Sequence, residues 1–239
     1  MSKAKKSGLS RRGRVITLLV VLPILIFLLV QIYFLLMVCW YAAFNPRQTN
    51  MMSDQLEALQ AKNPRAELKY EWVPYERVSI HLKRAVIAAE DANFAEHDGV
   101  DWEALQKAYE KNQRGHKVVG GGSTITQQLA KNLFLSGSRS YLRKGQELII
   151  AYMLETILTK GRILELYLNV VEYGRGIFGA EAAARHYYRT SAANLGPAQA
   201  ARLAVMLPNP RYFDKHRSSS YLARRTNLIV NRMSSAELP

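Results

Sequence analysis

A chain of 239 residues carries a formal charge of +14, with 49% hydrophobic residues and a single cysteine. That length holds one domain of ordinary size with additions, and one cysteine excludes an intrachain disulfide. The basic surplus favours anionic partners, whether lipid headgroups, a phosphorylated substrate or nucleic acid.

Six of the positive charges, Lys3, Lys5, Lys6, Arg11, Arg12 and Arg14, fall within the first 14 residues, which hold no acid. Residues 15–40 follow without one charged side chain. About 20 apolar residues cross a bilayer core, so this stretch is read as a permanent transmembrane anchor. Pro23 and Gln31 are tolerable inside it, and it is longer than the apolar region of a signal peptide, with no evident cleavage site. The positive-inside tendency leaves residues 1–14 as a cytoplasmic tail and exports the remainder. Export makes nucleic acid the weakest of the anionic partners, and none is expected.

Residues 41–70 read as a linker holding one short helix near 53–61. From residue 71 to 235 helical periodicity dominates, with sharp breaks at "KVVGGGSTIT" and "LPNPRYF" and a basic helix through "YLARRTNLIVNRM". No run of alternating strands and no internal repeat is present. The expectation is a mainly α-helical domain beside a membrane.

Three constellations stand out. In "VIAAEDANFAEHDG" a helical reading with Val86 at zero puts Glu90 at about 40°, between Val86 and the positions of Phe94 and Ile87 at about 80° and 100°. A carboxylate on an inward face is either a helix-end group reaching solvent or an arginine, or a base whose affinity for protons burial has raised.

In "GGGSTITQQLAKNLFL", Ser123 is the expected N-cap. Ile125, Leu129 and Leu133 form a core stripe. Thr124, Gln128 and Lys131 form a second stripe, which is either a solvated polar face or a phosphate-binding row at a helix N-terminus. The nucleotide P-loop spacing is absent.

In "SRSYLRKGQELIIAYMLETILTK", Arg143 and Glu147 lie at the edge of the apolar sector spaced for an i, i+4 ion pair. Arg139 and Lys144 add positive charge, and Glu155 is expected to face solvent. The histidines show no metal-ligand spacing, and Ser123 lacks triad partners.

Taken together these segments resemble the bacterial peptidoglycan glycosyltransferases. The pattern E-D-x-x-F-x-x-H-x-G is matched by Glu90, Asp91, Phe94, His97 and Gly99, and G-G-S-T-x-T-Q-Q-x-x-K-N by residues 121–132. R-K-x-x-E is matched by Arg143, Lys144 and Glu147, and residues 163–188 resemble the next block.

The resemblance implies a two-lobed, lysozyme-like helical domain that polymerises lipid II onto a growing glycan chain in β-1,4 linkage, with inversion and release of undecaprenyl pyrophosphate. It is expected to be of the kind without a transpeptidase domain, anchored by one span in the inner membrane with its catalytic domain on the periplasmic side. Glu90 would be the catalytic base. Thr124, Gln128, Lys131, Arg139, Arg143 and Lys144 would bind the substrate. Glu147, the second catalytic carboxylate, would orient the cations or help hold a divalent ion (Mg or Mn) on the pyrophosphate. No organic cofactor is expected, and other cell-wall synthesis proteins are expected as partners. A membrane-anchored, lysozyme-like hydrolase is the competing reading, and a catalytically silent partner of the cell-wall machinery is a third.

Overall fold

The computed structural model describes residues 11–114, 122–135 and 140–239. Arg139, Gly121 and the lysines of the tail lie outside the described residues.

The uncharged stretch forms the greater part of a single helix, α1 (Arg11–Ala43). Among the described residues it is the one helix long and apolar enough to cross a membrane, from Leu19 to Ala43. Its last turns do not stand clear of the rest. Val38 is fully buried and Tyr41 nearly so, and the Phe34 ring meets Phe134 edge-on at 5.5 Å. The amide of Gln31 is paired reciprocally with that of Gln146, at 2.9 Å in both directions.

Where α1 ends, Arg162 takes over its unpaired carbonyls. Its Nε donates to Tyr41 O at 2.9 Å and its NH2 to Phe44 O at 3.0 Å. A cation at this end also complements the helix dipole. Glu165 holds the guanidinium from the other side at 2.7 Å.

Segment 41–70 contains α2 (Asn50–Gln60), capped by Thr49, and β1 (Lys69–Tyr70). Next come α3 (Ile80–Glu90), α4 (Trp102–Arg114), α5 (Ile125–Phe134), α6 (Tyr141–Ile157) and α7 (Lys160–Val170). A tight hairpin of β2 (Glu172–Gly174) and β3 (Ile177–Phe178) leads into α8 (Ala180–Tyr188), α9 (Pro197–Met206), α10 (Pro210–Lys215) and α11 (Ser220–Arg232).

The strands make a small sheet of order β1-β3-β2, with β1 parallel and β2 antiparallel to β3. No periodicity announces it, because strands of two or three residues are shorter than one repeat of any alternation.

Two groups of helices enclose a cleft. In one, α5 packs on α2, α6 and α7, with α1 lying along α6; in the other, α3 packs on α9 and α11. A continuous apolar cluster runs beneath both. The chain crosses between them at Asn169, whose fully buried side chain accepts from Val73 N–H at 2.8 Å and donates to Val73 O at 2.9 Å. Gly179 packs against the backbone of the same residue. Its φ is +83°, and a Cβ there would lie 2.6 Å from Asn169 O.

Asn169→Ala orphans both polar groups of Val73 in an apolar surrounding. The expected loss is about 3 kcal/mol, read as a Tm lowered by roughly 6–12 °C for a chain of this size. An unchanged Tm would show that the crossing is held by other contacts.

Candidate active site

Helix α3 stops at Glu90, four residues short of Phe94, which it was expected to include. Phe94 is fully buried, but on the turn that follows. The stop is made by Asp91. One of its carboxylate oxygens accepts from Ile125 N–H at 2.9 Å, the other from His97 Nε2 at 2.9 Å. The opposite ring nitrogen of His97 accepts from Gly99 N–H at 3.2 Å, which fixes the tautomer with the proton on Nε2.

Gly99 turns at φ +87°, and its carbonyl accepts from Thr124 Oγ1 at 2.6 Å. Phe94 is roofed by the Lys160 ammonium, 4.6 Å from its ring centre. Lys160 pairs in turn with Glu155 at 2.8 Å, and Thr126 donates to the same carboxylate at 2.5 Å. Glu155 is therefore not the solvated residue its helical angle suggested. Its side chain is 7% exposed because α7 brings Lys160 back over it.

This clamp also revises the start of α5. The N-cap is Thr124, accepting from Gln127 N–H, and Ser123 lies outside the helix. The Thr124 hydroxyl is buried, and its proton is already given to Gly99 O. The first free amide of α5 is taken by Asp91. The geometry therefore does not place Thr124 or the α5 N-terminus as donors to a ligand. Ser123, just before the helix, lines the cleft instead.

The cleft, about 740 Å³, is lined from both helix groups. Glu90 enters from α3, Gln128 and Lys131 from α5, and Arg143, Lys144 and Glu147 from α6. From the far wall come Tyr221 and Arg225 of α11, together with Leu207 and Pro208 after α9. A smaller recess of about 190 Å³, with Asn93, Asp101 and Ser123 in its wall, opens on the other side of Glu90.

The glutamate is half-buried, facing the cleft with protein around the remainder. Its Oε2 accepts from Gln128 Nε2 at 2.8 Å. Burial pushes its carboxyl above the ordinary glutamate range. The Gln128 bond pulls it back, neighbouring Asp91 pushes it up again, and Lys131 and Arg225 draw it down.

Lys131 is affected in the opposite sense. Desolvation lowers its pKa, Glu147 raises it, and Arg143 and Lys144 lower it further. Glu147 is buried, and each of its oxygens already meets a cation: Arg143 NH1 at 2.9 Å and Lys144 Nζ. Lys144 also reaches Ser123 Oγ and Gln127 Oε1, both at 3.2 Å. Arg143 Nε is buried without a partner among the described residues.

A hard divalent cation needs several unclaimed oxygen ligands. Both oxygens of Glu147 already meet a cation, and no group of three His, Cys, Asp or Glu capable of holding a metal occurs among the described residues. The side chains alone therefore make no cage for a resident metal; a divalent ion carried on a pyrophosphate would draw most of its oxygens from that group.

Of the residues singled out in the sequence, Glu90, Gln128, Lys131, Arg143, Lys144 and Glu147 converge on the cleft. Arg139 lies outside the described residues. Arg225 and Tyr221 were not anticipated, and their one signal was the basic character of the last helix.

A family model described as Transglycosylase matches residues 56–234. The chain is 67% identical over 221 residues to the biosynthetic peptidoglycan transglycosylase of Janthinobacterium sp. (strain Marseille), covering 92% of this chain and 96% of that one. It is 60% identical over 230 residues to the protein of that name from Bordetella pertussis, covering 95% of each chain. To that of Dechloromonas aromatica it is 57% identical over 227 residues, covering 95% and 98%.

A glutamate whose folded pKa is raised binds its proton more tightly folded than unfolded. Stability therefore falls as pH rises from the unfolded value through the folded one. Glu90→Gln removes that penalty, so its Tm should exceed the native Tm at about pH 8, with the difference shrinking towards about pH 5. Thermal unfolding in detergent at the two pH values measures it. A variant less stable at both would mean that the Glu90 charge is not disfavoured in the fold.

Proposed function

The chain belongs to the transglycosylase family and is a peptidoglycan glycosyltransferase, and we propose that its substrate is lipid II and that Glu90 is the base. The observation that carries the assignment of roles is a desolvated carboxylate held by Gln128 at one side of a cleft whose floor is a cation cluster. Glu90 accepts the proton of the 4-hydroxyl of the incoming N-acetylglucosamine as that oxygen attacks the anomeric carbon of the chain-terminal N-acetylmuramic acid. The bond to undecaprenyl pyrophosphate breaks on the opposite face, which inverts the centre to the β-1,4 link. A raised pKa brings the base nearer to working pH.

Pyrophosphate leaves as an anion and needs charge stabilisation more than a proton. Lys131 and Arg143 provide it in this reading, which is supported by their lining one cleft with Lys144 and Arg225. Glu147 keeps Arg143 and Lys144 from repelling one another and aims them. A glycan hydrolase would need Glu90 protonated, to serve a poor leaving group, and would gain little from this cluster.

The basic tail before α1 supports an orientation with the tail in the cytoplasm and the cleft on the outer face of the inner membrane. The polyprenyl chain of the substrate stays in the same bilayer.

Glu90→Gln should fold and lose at least ~10² in turnover. Lys131→Ala and Arg143→Ala should be partly rescued by a donor bearing a better leaving group than pyrophosphate, whereas Glu90→Gln should not. Lys131→Arg should keep more activity than Lys131→Met, since charge is the requirement. Single-turnover transfer from labelled lipid II and from the activated donor separates these outcomes. Equal rescue of all three variants would dissolve the division of labour between base and cations, and near-normal turnover by Glu90→Gln would remove it as the base.

A further inference from the structure

Behind Gln128, away from the cleft, stands Tyr167 of α7, fully buried. Its hydroxyl lies 3.0 Å from Gln128 Oε1. The amide's orientation follows from its partners. A carboxylate at Glu90 Oε2 and the carbonyl of Ser123, 2.8 and 3.5 Å from Gln128 Nε2, can only accept, so the amide must present its nitrogen to both. Its oxygen then faces inward, and the phenol must donate. Burial pushes the Tyr167 phenol well above its ordinary range, so the hydroxyl keeps the proton it donates.

We propose that Tyr167 and Gln128 form an orientation lock on the Glu90 carboxylate, which makes Tyr167 a positioning residue for glycosyl transfer. This rests on the reading of Glu90 as the base. Without the phenolic hydroxyl the amide oxygen is orphaned in the core, and Gln128 is free to turn its nitrogen away. The carboxylate then loses both its fixed direction and a neutral donor that helps to hold it ionised. Donation from Tyr167 also polarises the amide and strengthens the bond beyond.

The other groups facing Glu90 are Asp91 next to it in the chain, Lys131 from α5, Arg225 from α11 and the Tyr173 phenol from β2. Tyr167 lies near enough to Glu90, Asp91 and Tyr173 for them to act on its phenol, but its hydrogen bond goes to Gln128, and the double-mutant cycle isolates that route.

The test is a double-mutant cycle on the full-length chain in lipid vesicles, with labelled lipid II as substrate and kcat, KM and the pH profile as readouts. Tyr167→Phe should lower kcat by about tenfold, an ordinary coupling between residues in one network. It should leave KM nearly unchanged and move the acid limb of kcat to higher pH, because the ionised form of Glu90 is held less well. Gln128→Leu should move the limb the same way, and the double variant should be no slower than Gln128→Leu alone.

An unmoved acid limb overturns the lock, as do losses that multiply in the double variant, since a packing defect at Tyr167 would act independently of Gln128. If Tyr167→Phe fails to fold, Gln128→Leu alone decides: an acid limb left in place refutes the lock. Near-normal turnover by Glu90→Gln removes the base, and the lock with it. A strong Glu90 dependence alongside an indifferent Tyr167→Phe removes the lock only.

Discussion

The geometry of the cleft depends on one buried carboxylate beside it, that of Asp91. Asp91 ends α3 and caps α5 in the same stroke, accepting the first free amide of one helix at the residue after the last turn of the other. An anion at a helix N-terminus is favoured by the unpaired amides and the dipole there. Here that preference welds two distant segments at the point where Glu90 and Gln128 must meet. His97, Gly99 and Thr124 close a ring of hydrogen bonds around the weld, and Phe94 fills the space beneath it. A ten-residue motif thus presents one carboxylate to the cleft, and its other fixed residues place that carboxylate.

The cleft stores charge in unfavourable form. Burial makes Glu90 a reluctant anion and Lys131 a reluctant cation. Their mutual attraction offsets only part of that, and a second shortage of solvation sits at Arg143, whose buried Nε lacks a partner among the described residues. Such groups are under-satisfied until an anionic substrate arrives. The apolar cluster that runs beneath both helix groups carries the stability that this arrangement removes.

Periodicity made the helices legible, and with them the buried stripe of Ile125, Leu129 and Leu133. Motif spacing made six of the cleft residues legible. What it could not convey were the choices decided between segments. Ser123 is the better cap by residue type, and only the nearness of the Gly99 carbonyl selects Thr124. Glu155 points outward on its own helix until Lys160, on the next, folds over it. Arg225 reaches the site from a helix far along the chain, and no local pattern brings the two together. The same holds for Tyr167, which reads as one more apolar position of α7 until its hydroxyl is followed to Gln128.

The last turns of α1 have a mechanical meaning. Gln31 locked to Gln146, Phe34 on Phe134 and Arg162 over the terminal carbonyls leave no slack between span and domain. The protein resembles a mast more than a buoy on a rope: these contacts couple the orientation of the cleft to that of the apolar helix. A lipid-borne substrate therefore approaches an opening whose height and heading are inherited from the tilt of a single helix. Any agent that alters that tilt, such as a change in bilayer thickness, reaches the reaction centre without touching it.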